Sequence, residues 1–380
     1  MKYVGEQDFD HKNPQRTGVL ICNLGTPESY KVKDVRTFLK EFLSDGRVIE
    51  IPKAIWWFIL NGIILRFRPK KSAKLYESVW TEEGSPLLVY SQKIVEKVRA
   101  LMPENIEVEL AMRYGKPEME KALLSLKDKN CRNLIVLPMF PQYSGTTTGS
   151  IFDEVTRVLS KWRWVPAINF INSYHDNENY INALAQSIKT KINGRSPQKV
   201  IFTYHGIPKR NFDLGDPYHC LCLKTTRLVS ERLGLDEKMY MTTFQSRFGP
   251  SEWLKPYTSE TMEELPSLGI KDIMVVAPAF SVDCLETIEE IDEENKEIFL
   301  NAGGENFEYV PCLNDSDDHI QFIKKTIEQN LHFIALSGRP IYFNALILVN
   351  TNCHTHTKRN ELCLRKLHWL QGLLAESDFK

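Results

Sequence analysis

The chain has almost no imbalance of charge. Lys and Arg number 48 against 49 Asp and Glu, giving a formal net charge of −1, and no basic block interrupts the balance. The electrostatic footprint of a nucleic-acid binder is missing, and no nucleic-acid partner is expected. The 8 cysteines are scattered through the 380 residues. Cys220 and Cys222 stand at C-x-C spacing without a second such pair, which indicates neither a zinc site nor a disulfide framework. Reduced thiols of a cytoplasmic protein fit this pattern. Long hydrophobic runs are lacking too. The most apolar stretch, 54–65, is interrupted by Asn61 and Gly62 and is too short to span a bilayer. The first 17 residues are polar, so a secretory signal is not expected. No Gly-x-Gly-x-x-Gly follows a predicted strand, which argues against a nucleotide cofactor.

What is present is alternation of short buried strands with helices. Apolar runs at 18–23, 106–113, 133–138 and 167–172 read as strands, and 32–43 as a helix. The plan recurs at 200–204, 273–280 and 309–313. The exit Gly25-Thr-Pro27 is echoed by Gly206-Ile-Pro208, and Arg113-Tyr-Gly115 by Arg247-Phe-Gly249. The expectation is an α/β fold of two similar Rossmann-like, doubly wound lobes, each with a parallel sheet of about four strands. Residues 1–16 form an N-terminal extension, 17–175 the first lobe, 176–330 the second, and 331–380 an atypical tail. The repeat offset drops from 181 at Gly25 to 134 at Arg113, so about 47 extra residues fall in the first lobe, within 45–90. This insert carries Trp56 and Trp57. It reads equally as a lid over a flat apolar ligand or as a core helix.

Two stretches carry chemistry. At 278–297 an apolar strand passes into an acidic segment in which Glu286, Glu290 and Glu294 stand four apart. On an α-helix they would share one face, where like charges repel, so the row reads as a cation site. A solvated acidic face is the plainer alternative. At 199–208, His205 ends a strand and is followed by Gly206 and Pro208, which turn the chain into a tight loop. A histidine at such an exit faces a cleft and suits metal ligation or proton transfer.

These stretches, Tyr-His-Gly-Ile-Pro at 204–208 and Asp-Cys-Leu-Glu-Thr-Ile-Glu-Glu at 283–290, resemble the ferrochelatases. The likeness spans about residues 17–330. It implies insertion of Fe2+ into protoporphyrin IX, the last step of haem biosynthesis, with porphyrin and Fe2+ as the partners. His205 is then metal ligand or pyrrole-proton acceptor, and Glu286 its opposite number. Which of them deprotonates the ring stays open. Glu290 and Glu294 extend the site as a metal or proton path. The family motifs point to Arg68, Tyr76 and Ser85 as porphyrin contacts. Further family-like stretches, Arg113 with Tyr114 and Phe244-Gln-Ser-Arg-Phe-Gly249, would shape the pocket, and the resemblance adds Arg113, Tyr143 and Ser144 to the expected porphyrin contacts. The plainer readings are a surface charge for Arg68, a half-buried helix residue for Tyr76 and a helix cap for Ser85. The insert would form the mouth, able to rest on a membrane surface.

Departures from the family pattern narrow the reading. Cys284 stands where many members have His and receives no metal role. Leu24 stands where others have Met or Tyr, which removes one proposed ligand. No cofactor beyond the substrate metal is expected: a [2Fe–2S] cluster needs more cysteines than Cys353 and Cys363 of the tail, and His354 and His356 there are assigned no function. The alternatives are a cobalt chelatase acting on a reduced tetrapyrrole, or a two-lobed haem- or metal-binding protein without catalysis. The motifs do not choose between protoporphyrin and coproporphyrin, whereas the Trp-rich insert favours the former.

Overall fold

The apolar runs become strands, and the central ones are fully covered. In the computed structural model, which describes residues 3–6 and 9–337, with side chains as far as 331, the strands are β1 (Arg16–Thr26), β2 (Ile106–Gly115), β3 (Cys131–Pro138), β4 (Ala167–Phe170), β5 (Lys199–His205), β6 (Tyr240–Gln245), β7 (Asp272–Val276) and β8 (Asn306–Val310). They form two four-stranded sheets of order β2-β1-β3-β4 and β6-β5-β7-β8. Every pairing is parallel. The expected fold class is therefore observed, with one topology used twice. Parallel strands need crossover helices on both faces. This is why Val19, Leu20, Ile21 and Cys22 of β1 and Val200, Ile201 and Phe202 of β5 are wholly buried.

Strand register corrects the internal alignment. Gly25 and Gly206 leave equivalent strands, and Met112 and Phe244 occupy equivalent positions beside them. Arg113 therefore corresponds to Gln245, not to Arg247. The offset falls from 181 to 132, an excess of 49 residues rather than 47. Strand β8 ends at Val310, earlier than the apolar run suggests. Beyond it the Cys312 amide turns to the Asp283 carboxylate.

The excess residues build α2 (Lys53–Ile59), a π turn Leu60–Ile64 and α3 (Leu65–Val79), packed on α1 (Val32–Leu43) and followed by α4 (Pro86–Leu101). Val35, Phe38, Leu39, Leu60, Leu65 and Tyr76 form their shared core. The two tryptophans part company. Trp56 packs against that core and donates its indole N–H to the Leu43 carbonyl at 2.6 Å, while Trp57 is 59% exposed. The insert is thus core on one side and open apolar surface on the other.

Residues 4–6 of the extension pack on the first lobe: Val4 pairs with Trp162, and Glu6 accepts from Arg132 and Lys127. The compact unit that carries the fold is Met1–Asn330; a second unit begins at Leu331. Cys353, His354, His356 and Cys363 lie outside the described residues.

Candidate active site

In a sheet of order 2-1-3-4, ligands bind where the strand order reverses, beyond the carboxyl ends of the first and third strands. In the second sheet these are β5, which ends at His205, and β7, which leads to the acidic segment. Gly206 is required here. A Cβ on it would lie 2.8 Å from the Gln245 carbonyl oxygen and 3.1 Å from the Trp253 ring. The Gly206 carbonyl sits 2.7 Å from His205 Nδ1. A carbonyl only accepts, so Nδ1 carries the proton and the neutral imidazole keeps its lone pair on Nε2. The rings of Trp253 and Phe280 lie 6.3 and 6.5 Å from the imidazole centre.

The acidic segment is not the expected α-helix. After one α turn, Leu285–Thr287, it is a π helix over Ile288–Asn295. Its i→i+5 bonding makes each turn wider, and such stretches concentrate at functional sites. The register of the acids changes with it. Glu294 is exposed, and its charge falls on Glu289, five residues back, helping to raise that carboxyl after burial has done most. The predicted row Glu286, Glu290, Glu294 is therefore not one straight face. Glu290 points inward, accepting from the Ser246 amide at 2.7 Å, the Ser246 hydroxyl at 2.5 Å and Gln245 Nε2 at 3.2 Å. Burial raises its pKa, with Glu286 adding to the rise; Ser246 and the nearby His205 oppose it. Among the described residues no three His, Cys, Asp or Glu side chains converge to cage an ion. His205, Glu286, Glu290 and Glu294 do not form one coordination shell as they stand.

The segment is anchored at its start by Asp283. That carboxylate accepts from Tyr309, Thr287, Asn314 and the Cys312 amide. Cys284 next to it is buried, and burial pushes its thiol well up.

Arg68 on α3 faces this helix. Its guanidinium lies over the Phe248 ring at 4.7 Å, and burial lowers its pKa while the charges of Tyr76 and Glu286 raise it. Tyr76 is buried; burial raises its pKa most, and Glu286 and Cys284 add to this. The insert of the first lobe thus meets the acids of the second across the exits of the strands.

The sequence matches the family model described as Ferrochelatase over residues 16–331. The chain belongs to the ferrochelatase family. Among its relatives are the ferrochelatase of Thioalkalivibrio sulfidiphilus, 51% identical over 87% of this chain and 91% of the relative, and ferrochelatase 2 of Shewanella oneidensis, 50% identical over 84% and 99%. Its activity is that of a ferrochelatase, the insertion of Fe2+ into protoporphyrin to make haem. Its fold resembles SirB from Bacillus subtilis with Fe3+, with a TM-score of 0.52 at 12% identity over 83% of this chain and 95% of that one.

The other ferrochelatase positions are placed variously. Ser85 opens α4 without capping it; its buried hydroxyl bonds Thr26 at 2.8 Å. Arg113 is committed: it donates to Asp45 at 2.6 Å and to the Ser150 hydroxyl at 2.7 Å. Burial would raise Asp45, but Ser150, the Arg47 amide, Tyr114 and Arg113 outweigh it and hold the carboxyl low. Tyr143 is half-buried, its hydroxyl over Gly149. Ser144 caps the helix after β3 and donates to Asp216 at 2.9 Å. Leu24 packs in the same apolar cluster as Leu285. Cavities of about 470 and 350 Å³ elsewhere include none of the predicted site residues.

Sequence reasoning overlooked Asp45 and Trp253. Gln245, Ser246 and Phe248 fell in the stretch 244–249, read only as shaping the pocket. Ser246 has φ +64°, a left-handed conformation that no residue type announces at a serine.

Proposed function

We propose that His205, through Nε2, and Glu286 face each other across the porphyrin during Fe2+ insertion, one taking pyrrole protons and the other helping the metal shed water. His205 Nε2, left available by the Nδ1 bond to Gly206, beside Glu290, which Gln245 and Ser246 turn inward, is the observation that carries this reading. Glu290 stands next in line, and Glu289 and Glu294 continue the route to the surface. Imidazole and carboxylate together suit a divalent first-row metal. Arg68, whose guanidinium meets an aromatic face rather than a carboxylate, receives a propionate. Tyr76, Ser85, Arg113 and Tyr143 form or brace the wall of the first lobe. Peripheral contacts of this kind supply the energy that bends the ring toward the metal. No [2Fe–2S] cluster enters this scheme. The deciding experiment is anaerobic metallation of protoporphyrin, followed by absorbance with Fe2+ or Zn2+, in His205→Ala. The variant is expected to stay folded and lose turnover; full activity would remove His205 from the mechanism.

The exposed face of the insert supports a second statement: the enzyme rests peripherally on a membrane. Ile55, Trp57, Phe58, Ile63 and Phe67 are all exposed there, beside Arg66 and Lys70. Such a mixed face lies in a lipid interface rather than through it, and no described helix is long and apolar enough to cross one. Co-sedimentation with anionic vesicles should weaken in Phe58→Ser/Phe67→Ser. Unchanged sedimentation of that variant counts against the statement.

A further inference from the structure

Gln245 ends β6 beside His205, its partner in the sheet. Its main-chain carbonyl accepts the Gly206 amide at 2.8 Å, and the Gly206 carbonyl in turn binds His205 Nδ1. The side chain reaches the other way. Nε2 donates to the Glu286 carbonyl at 2.8 Å and to Glu290 Oε2 at 3.2 Å. The first of these lies where the α turn passes into the π helix, a junction at which the i→i−4 ladder is broken. One residue therefore bridges the imidazole and the acidic helix.

The direction of its amide is determined. Turned over, the oxygen would face the Glu286 carbonyl, which has no proton to give. The oxygen is instead taken by the Thr203 hydroxyl at 3.1 Å. Thr203 also contacts the Thr258 hydroxyl at 2.8 Å, and Thr258 lies 3.0 Å from that of Thr243. Gln245 and the three threonines are buried, so no bulk water replaces these partners. A closed set of hydroxyls behind the sheet thus points one amide N–H₂ at the site.

We propose that Gln245 is a positioning residue for metal insertion: its backbone fixes the His205 ring, its amide holds the acidic helix at Glu286 and Glu290, and Thr203 sets which way that amide faces. The inference rests on the roles given above to His205 and the two glutamates. It makes Thr203, which bonds Gln245 rather than any proposed substrate group, a residue that alters turnover.

The test is steady-state insertion of Zn2+ into protoporphyrin, with a thermal melt of each variant. Gln245→Met is expected to lose about 10–100-fold in kcat, the usual cost of removing a partner that orients a metal ligand, with the porphyrin KM unchanged. Thr203→Val keeps the side-chain shape and removes the hydroxyl; about a tenfold loss is expected, restored by Thr203→Ser. Because the hydroxyl acts through the amide, Gln245→Met/Thr203→Val should be no worse than Gln245→Met. If Gln245→Met does not fold, the Thr203 pair decides. A folded Thr203→Val of wild-type activity, losses that multiply in the double variant, or a loss carried by the porphyrin KM would each overturn the proposal. If His205→Ala stays active, the underlying roles fail instead. An inactive His205→Ala beside a fully active Gln245→Met sinks this inference alone.

Discussion

The two lobes end their central strands in the same way and fill the ends differently. Gly25 at the end of β1 and Gly206 just after β5 both press against the carbonyl of the neighbouring strand, Tyr114 in one case and Gln245 in the other. The residue before is Leu24 in the first lobe and His205 in the second. Both β3 and β7 lead into π helices, but Gly145–Gly149 is neutral whereas Ile288–Asn295 carries five acids. The strands beside them differ as well. Arg113 closes an ion pair with Asp45 and helps hold that carboxyl low. Its counterpart Gln245 offers Glu290 only a neutral amide, and Glu290 is raised. A paired carboxylate is finished chemically, whereas one raised by burial and held only by neutral donors can still exchange a proton or a metal. The fold thus supplies two equivalent positions, and a few side chains make one of them reactive.

The strongest way to break this comparison is to exchange the exits. His205→Leu should lower metal insertion by at least about 10³-fold, within the range lost with an acid–base group. Leu24→His/His205→Leu should stay equally inactive, because the acidic helix follows β7 and not β3. Recovered turnover in that double variant would mean that either exit serves.

The glycines come next. A Cβ on Gly25 would sit 1.8 Å from the Tyr114 carbonyl oxygen at φ +112°, against 2.8 Å from the Gln245 carbonyl oxygen for Gly206. Gly25→Ala should cost at least about 3 kcal/mol in urea unfolding, and Gly206→Ala about 1–2 kcal/mol. Equal losses would show that the two exits are not held with different tightness.

His319 sharpens the comparison because its stacking partner Phe322 belongs to a helix of the second lobe. Burial lowers its pKa to about 4, partly opposed by the Asn314 carbonyl. The folded state then binds fewer protons than the unfolded chain between about pH 6.5 and 4. The stability this confers is complete above pH 6.5 and is lost as pH falls toward 4, up to about 3 kcal/mol. His319→Gln should flatten that part of a stability–pH curve; an unchanged slope assigns the acid loss to other groups.

The smallest contrast lies inside the insert. Trp56→Ala should cost about 2–3 kcal/mol through lost packing. Trp57→Ala should stay within about 0.5 kcal/mol. A thermal melt of each separates the core side of this insert from its open side.

Much of this was legible before any coordinates. Seven apolar runs were read for the eight strands and each overlaps its strand, β6 alone having none, and α1 runs over the predicted 32–43. The exits of β1 and β5 were marked by glycine and proline. The π register was not legible, because the spacing of Glu286, Glu290 and Glu294 fits an ordinary helix equally well. Nor were Asp45 and Arg113, 68 residues apart, since nothing local names a distant partner.

The amino-acid order by itself determined where seven of the eight strands lie, and that a histidine and a cluster of acids follow two of them. Burial periodicity and turn chemistry are local, so they can be read along the chain. Only the tertiary structure decided which acid turns inward, which tryptophan faces solvent, and that Arg113 is tied down while its counterpart Gln245 reaches the acids. Those outcomes depend on desolvation and on partners brought together from far apart, and both exist only once the sheets have formed.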